Sequence, residues 1–473
     1  MSNKLNKFTE FANSLYPHET DYLLSIQQFD TPENLKILNL INYNCKKPAI
    51  KIPYDVTIDK RKYSYVKNWI EKNLSNADVD LFFDWLIAME KLVMTDAILP
   101  EEENDIIARA KLVTHKHYYF IRFYELMQKY RDYLLIRMRI HYYQPVSDFL
   151  DTFEQNYRTA NELNYRLNDA TIDIIKQHDD SQTKTEHWEA LLKSTFYDES
   201  IDSYTRYRAV VRLTLLYYNY RDFTKLRDVY ENLDRMFKTG LFYSKRILAN
   251  YYANRAMMHS KLNELEDSEK YGFLSIRQKN SDYLFYLLNL CNVLLKAGKN
   301  KEAYCLMTES IPELKKTASF YYKIGFVAFY IRTLLANQKY ENAVSYGETF
   351  LEAYKTEIFN HRWHLFFSAY IQALFKAEKY PKVLSLVRRY NLVNREKKFI
   401  GDAKYLPIIL WHNAAAGFVE GALSEKKLIE TIIQSGKELL NHQYKSVKIR
   451  ELIRQLSPTL PGIFKEISKG LDI

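Results

Sequence analysis

The sequence predicts an all-α protein in which helix pairs stack side by side as a solenoid behind a helical N-terminal region. Three observations point there. Glycine is scarce, 11 in 473 residues, and the first is Gly240; the first half therefore lacks the residue that positive-φ hairpin turns and phosphate-cradling loops ordinarily use. Apolar residues recur mostly at three-to-four spacing, the period of one helix face. From about Ser203 short polar breaks return at a nearly constant interval, each followed by a new helical run.

The N-terminal region, residues 1–200, is helical by pattern without visible repetition. Thr31 followed by Pro32 reads as an N-cap with proline at the first helical position, and LPEEEND from Leu99 starts a helix with acids in its first turn. An extended connector near 44–62 carries two prolines and alternating apolar residues, a pattern that also suits a short strand. In His115–Tyr143 basic and aromatic residues interleave, yet Phe120, Phe123, Met127, Tyr130, Leu134 and Met138 make a buried helical stripe. From Pro145 a second stripe runs unbroken through Phe149, Phe153, Tyr157, Ala160, Leu163, Leu167, Ala170 and Ile174, which predicts one helix about 50 Å long. A helix of that length can brace an array along its side.

Residues 201–400 form the array. After each polar break an apolar, aromatic or, once, polar residue is followed three positions later by a small or apolar one. The pairs are Phe223 and Leu226, Leu265 and Ser268, Asn300 and Ala303, Tyr340 and Ala343, and Tyr380 and Val383. Where two antiparallel helices cross closely a bulky side chain would hold them apart, so the crossing point favours Ala or Ser between larger neighbours. A lone pair leaves one apolar face wet, and successive pairs must stack. Residues 401–473 then supply one more pair, from KYLPIILWHNAAAGFVEG and SEKKLIETIIQSGKELL, and capping helices around a proline break.

GKNKEAYCLMTESI, NQKYENAVSYGETF and AEKYPKVLSLV resemble the turn and second helix of tetratricopeptide repeats. Residues 286–311 fit that pattern best, through Leu290, Leu294, Gly298, Ala303, Met307 and Ser310, and residues 213–233 fit through Leu213, Tyr217, Asp222, Phe223, Leu226 and Tyr230. The second residues of the pairs are spaced 42, 35, 40 and 40 apart, mostly longer than the family's period of about 34, and Leu226 and Val383 replace its alanine. The resemblance implies a right-handed superhelix. It also implies that the first helix of each pair lines a concave groove, placing Arg208, Asn250, Met257, Lys261, Asn292, Lys296, Arg332, Gln372 and Lys376 on the inner face. Asn292 would then stand where family members use an amide on a peptide backbone. Val211 and Leu215 do not reproduce the family's carboxylate clamp.

Charge adds a direction. Residues 1–200 hold 25 Lys+Arg against 31 Asp+Glu, a balance of −6, while residues 201–473 hold 43 against 27, a balance of +16. A basic field in the repetitive part favours acidic partners. A second basic cluster, Lys376–Lys404, contains Arg388, Arg389, Arg395, Lys397 and Lys398, and a phosphate backbone would favour it electrostatically. The 40 tyrosines read as packing residues with a polar tip.

The fingerprints GxGxxG, GxxxxGK[ST], GxSxG and HExxH do not occur. His115 with His117, and His361 with His364, could each offer two imidazoles, but neither pair has a nearby third ligand in sequence; the carboxylates and histidine of Glu186–Ala190 are common on helix surfaces. Cys45, Cys291 and Cys305 lack metal or disulfide spacing and read as buried free thiols in a reducing, cytoplasmic protein. No apolar run approaches a membrane span and the opening residues lack a secretory core. The expectation is a non-enzymatic scaffold or adaptor, with no cofactor or metal, that binds an acidic or extended segment of another protein in a basic groove. The alternative is a nucleic-acid or polyanion binder using the basic half. A third possibility is an enzyme with an unfamiliar site in the N-terminal region.

Overall fold

A computed structural model describes residues 5–47, 50–179, 184–398, 400, 405–441 and 443–473. Among these residues the chain is helical with no strand, and its helices pack in neighbouring pairs. It divides into two compact units, Met1–Glu264 and Leu265–Ile473. The division falls within the span whose polar breaks repeat.

Unit 1 contains α1 (Asn6–Ser14), α2 (Pro17–Ile26), α3 (Pro32–Lys46), α4 (Lys60–Ala77), α5 (Val79–Met94), α6 (Pro100–Ala110), α7 (Phe120–Ile136) and α8 (Ile140–Asp179). A single 3-10 turn, Glu186–Trp188, leads into α9 (Glu189–Tyr197), followed by α10 (Ser203–Tyr220), α11 (Phe223–Lys238) and α12 (Lys245–Lys261). The prolines at 32 and 100 open α3 and α6 as read, although Thr31 caps through position alone and its side chain accepts no bond from the first N–H groups of the helix. The connector is the segment from Lys47 to Asp59; no strand forms in its described part, and Pro48 and Ala49 lie outside the described residues.

The stripe on α7 is core as expected through Phe120, Phe123, Met127, Tyr130 and Leu134. Met138 is an exception, 79% exposed, because the helix has already ended and the backbone there turns to a φ of 54°. The long helix α8 spans 40 residues, about 60 Å. It starts at Ile140, with Pro145 inside it; the proline removes one backbone donor from the second turn, which this helix absorbs. Packed on α7 and α10, α8 buries Phe149, Ala160, Leu167, Ala170 and Ile174.

Unit 2 contains α13 (Leu265–Ser275), α14 (Tyr283–Lys296), α15 (Asn300–Glu309), α16 (Ile311–Lys316), α17 (Phe320–Ala336), α18 (Tyr340–Asn360), α19 (Trp363–Lys376), α20 (Tyr380–Arg389), α21 (Leu392–Lys397), α22 (Ile408–Val419), α23 (Glu425–Leu440), α24 (Gln443–Leu456) and α25 (Pro461–Gly470). Here α14, α17, α19 and α22 follow one another as packed neighbours, and α15, α18 and α23 each lie against the helix that precedes them. One apolar core runs from Tyr283 to Leu471 through this unit.

The repeating breaks have one physical cause. After α14, α17 and α19 the chain enters a left-handed residue, Gly298, Gln338 or Glu378, at φ values of 76°, 58° and 58°. The following N–H, of Lys299, Lys339 or Lys379, returns to the carbonyl five residues back, Leu294, Leu334 or Leu374, at 2.8, 2.9 and 2.9 Å. These are Schellman closures, which satisfy the last carbonyls of a helix. Unit 1 makes the same closure after α10 at Arg221 and after α12 at Asn263. In all five cases the next helix begins two residues later, at Phe223, Leu265, Asn300, Tyr340 and Tyr380. The paired positions Leu226, Ser268, Ala303, Ala343 and Val383 are all buried. Glycine occupies only one of these five left-handed sites, and Asp96, Met138 and Arg221 adopt positive φ before the first glycine. Scarce glycine therefore goes with the absence of hairpins among the described residues, not with an absence of left-handed caps.

The cysteine reading holds for Cys45 and Cys291, which are buried, but Cys305 is exposed on α15. No helix among the described residues is long and apolar enough to cross a membrane.

Candidate functional site

In unit 1 the four positions assigned to an inner face have separate surroundings. Arg208 lies against α8, where its guanidinium donates to the side-chain oxygens of Asn164 and Asn168 and sits 5.7 Å over the Tyr204 ring. Its neighbour Arg212 donates to the Leu167 carbonyl at 2.8 Å and to Thr171 at 2.6 Å. Both arginines thus hold the bracing helix to α10. Asn250 accepts from Asn254 at 2.9 Å and borders a cleft of about 30 Å³, water-sized. Met257 is half-buried, and Lys261 is exposed with its ammonium 5.9 Å over Tyr218.

In unit 2 the picture is different. Asn292 and Lys296 are exposed on α14, whereas Arg332, Gln372 and Lys376 line one cavity of about 500 Å³. Positions 292, 332 and 372 stand at the same distance before their closures, so a common register aims them alike. Taken forward by the same forty-residue step, that register reaches His412 on α22, which also lines the cavity. The remaining wall comes from α24 through Lys448, Glu451 and Gln455, and from apolar side chains that include Leu335 and Leu406.

The electrostatics follow from these neighbours. Lys448 pairs with Glu451 at 2.6 Å along one face of α24. Lys376 donates to the Gln455 carbonyl at 2.9 Å, and its partial burial pulls the ammonium below its ordinary range. His412 is buried, with its ring edge-on to Phe375 at 5.2 Å. Burial, opposed by a bond to Ile408 and assisted by the Lys376 charge, lowers its pKa to about 4. The Ile408 carbonyl, 2.7 Å from Nδ1, can only accept; Nδ1 therefore carries the hydrogen and Nε2 is the lone-pair nitrogen. The cavity thus combines three cations, one carboxylate, a neutral imidazole acceptor, two amides and an aliphatic wall.

The second basic cluster is spread over α20, α21 and the residue that ends α21. Arg388, Arg389, Arg395, Lys397 and Lys398 are all exposed and form no ion pair among the described residues. Arg389 and Arg395 lie over the rings of Tyr390 and Phe359, at 5.4 and 4.9 Å. Lys404, the end of that cluster in sequence, lies outside the described residues.

One histidine of each pair has a structural role. His117 is not helical; its Nδ1 accepts from the Tyr119 backbone at 3.2 Å, and burial, then the Arg109 charge, lowers its pKa to about 4. His364 meets the buried Glu396 at 2.9 Å, and Glu396 also accepts from the backbone N–H groups of Ile409 and Leu410, fixing the start of α22. Glu189 receives Tyr217 and Lys225, tying α9 to its neighbours, and Trp188 donates to Asp173. Among the described residues no three His, Cys, Asp or Glu side chains gather as metal ligands would.

Sequence reasoning missed His412 and the α24 residues. His412 was reachable by continuing the forty-residue step from Gln372. Lys448, Glu451 and Gln455 carry no such signal, since the capping helix lies outside the register. No family model, curated protein or solved structure matches the chain.

Proposed function

We propose that this protein is a non-enzymatic interaction scaffold, a right-handed α-solenoid of tetratricopeptide-like helix pairs, whose second unit receives an acidic, extended segment of a partner protein. The observation that carries this reading is the convergence of Arg332, Gln372 and Lys376 on one cavity, with Asn292 two register steps before Gln372. The cationic excess there suits a carboxylate-bearing partner. Amide side chains at the register positions suit an extended backbone, which offers a donor and an acceptor at every residue.

A polyanion reading draws on a different observation, the five exposed cations around α20 and α21 that meet no carboxylate among the described residues. The two readings separate in one experiment. A labelled, end-blocked octaglutamate peptide and a labelled single-stranded oligonucleotide are each titrated by fluorescence anisotropy at several salt concentrations. The scaffold reading expects peptide binding that weakens by at least about tenfold in Arg332→Glu/Lys376→Glu, with the helical circular dichroism unchanged. Oligonucleotide binding with a steep negative salt slope, lost instead in Arg388→Glu/Arg389→Glu, would favour the alternative.

A further inference from the structure

We infer that the α17–α19–α22–α24 cavity selects within acidic segments, taking an internal step in which a carboxylate side chain stands directly beside a bulky aliphatic one. This inference rests on the scaffold reading and names the partner's chemistry at that site.

Three features of the lining require more than negative charge. First, Arg332, Lys376 and Lys448 share the wall with Leu335, Leu406, Ile408 and Leu452, so an occupant that is only charged would leave its apolar side wet. Second, at about 500 Å³ the cavity exceeds one carboxylate and falls in the range of sites that enclose a small-molecule-sized group, roughly 300–1,000 Å³. Two adjacent side chains and the peptide between them fill such a volume.

Third, His412 presents an acceptor. With Nδ1–H committed to Ile408, Nε2 calls for a donor. A phosphodiester group or a bare carboxylate offers only acceptors there, and facing one to Nε2 would set lone pair against lone pair. A peptide N–H supplies the missing hydrogen. The neutral state of the imidazole keeps this demand in place at ordinary pH, while Lys376 and Arg332 take the charge. The segment in question is internal, because a peptide group on both sides of the acidic residue satisfies His412 and the Gln372 amide together.

The test compares two end-blocked, labelled peptides of equal charge, one of four Leu-Glu steps and one of four Ser-Glu steps. By anisotropy on the intact protein the Leu-Glu peptide is expected to bind at least about tenfold more tightly, the effect of burying one aliphatic side chain. Leu335→Ser, at a half-buried wall position, is expected to bring the ratio of the two affinities down to about one; Leu406→Ser serves as an independent second variant. Equal affinity for the two peptides on the unmodified protein overturns the inference and leaves the scaffold reading standing. Binding of neither peptide at low salt overturns both.

Discussion

In unit 1, α2 is held on α11 and α12 by buried polar side chains. His18 meets Tyr252 at 2.6 Å and Asp234 at 2.8 Å, Tyr243 donates to Glu19 at 2.6 Å, and Tyr251 and Arg255 donate to the same Asp234 carboxylate, each at 3.1 Å. In unit 2, the joins between α14, α17, α19 and their partners are one backbone closure repeated over an aliphatic and aromatic core. The contrast concerns what each unit asks of its side chains. A polar network specifies one partner for each member and fails sharply when a member is removed. A repeated closure leaves the sequence free at the positions between closures. In unit 2 the register positions Arg332 and Gln372 line one cavity, while in unit 1 Arg208, on a helix that ends in the same closure, is committed to Asn164 and Asn168.

The largest effect is expected where the network is densest. Asp234→Ala strips the acceptor from His18, Tyr251 and Arg255 in a mostly buried setting, and should cost about 3–5 kcal/mol in urea unfolding. Hydrogen-exchange mass spectrometry should place the lost protection in α2, α11 and α12. The same carboxylate sets a pH dependence. Burial pushes Asp234 up, but the hydrogen bond and charge of His18, with Lys238, outweigh it and hold the group well below the ordinary range. A depressed carboxylate contributes its stability in full above its unfolded value near 4, and loses it as pH falls further. Asp234→Ala should therefore flatten the acid limb of the stability curve below about pH 4. A variant that keeps both its stability and its acid limb would remove the network from the comparison.

Unit 2 should break by crowding instead. Gly347 lies four residues after Ala343, and a Cβ placed on it would meet the Tyr370 ring at 2.5 Å. Tyr370 is itself buried and cannot swing aside. Gly347→Val should cost about 3 kcal/mol through overpacking, with protection lost in α18 and α19 and no change in the acid limb. Loss of protection spread through α2 and α11 instead would show that the units do not differ in this way.

How much of this was legible follows from the same contrast. The five second-helix starts could be read from sequence because a Schellman closure, a short polar break and a small residue at the crossing are local features, close together in the chain. The cavity was legible through α19, since Arg332, Gln372 and Lys376 inherit that local register. His412 was within reach of the same register but stands past residue 400, where the array was expected to end, on the pair assigned to residues 401–473. The wall from α24 was not legible, for Lys448 and Gln455 reach Lys376 and its neighbours from more than seventy positions away. The network of unit 1 was invisible for the same reason, with His18 and Asp234 separated by 216 residues. The connector near 44–62 forms no short strand in its described part, and the buried Met138 failed because its stripe was read past the point where α7 stops.

The smallest expected effect tests whether the closures of unit 2 are interchangeable backbone devices. Gly298 and Gln338 occupy equivalent left-handed sites, and nothing lies within 4 Å of a Cβ added at Gly298. A side chain there meets no neighbour, so its cost is only the local strain of positive φ, about 1 kcal/mol. Gly298→Ala should therefore lower stability by about that much, and Gln338→Gly should relieve it, gaining up to about 1 kcal/mol less the extra freedom glycine gives the unfolded chain. Combined in one chain the two changes should nearly cancel in the urea midpoint, since each acts on its own turn. A Gln338→Gly variant that is clearly destabilised would mean that the glutamine side chain itself is needed, and that the closure at 338 is no longer a pure backbone device like the one at 298.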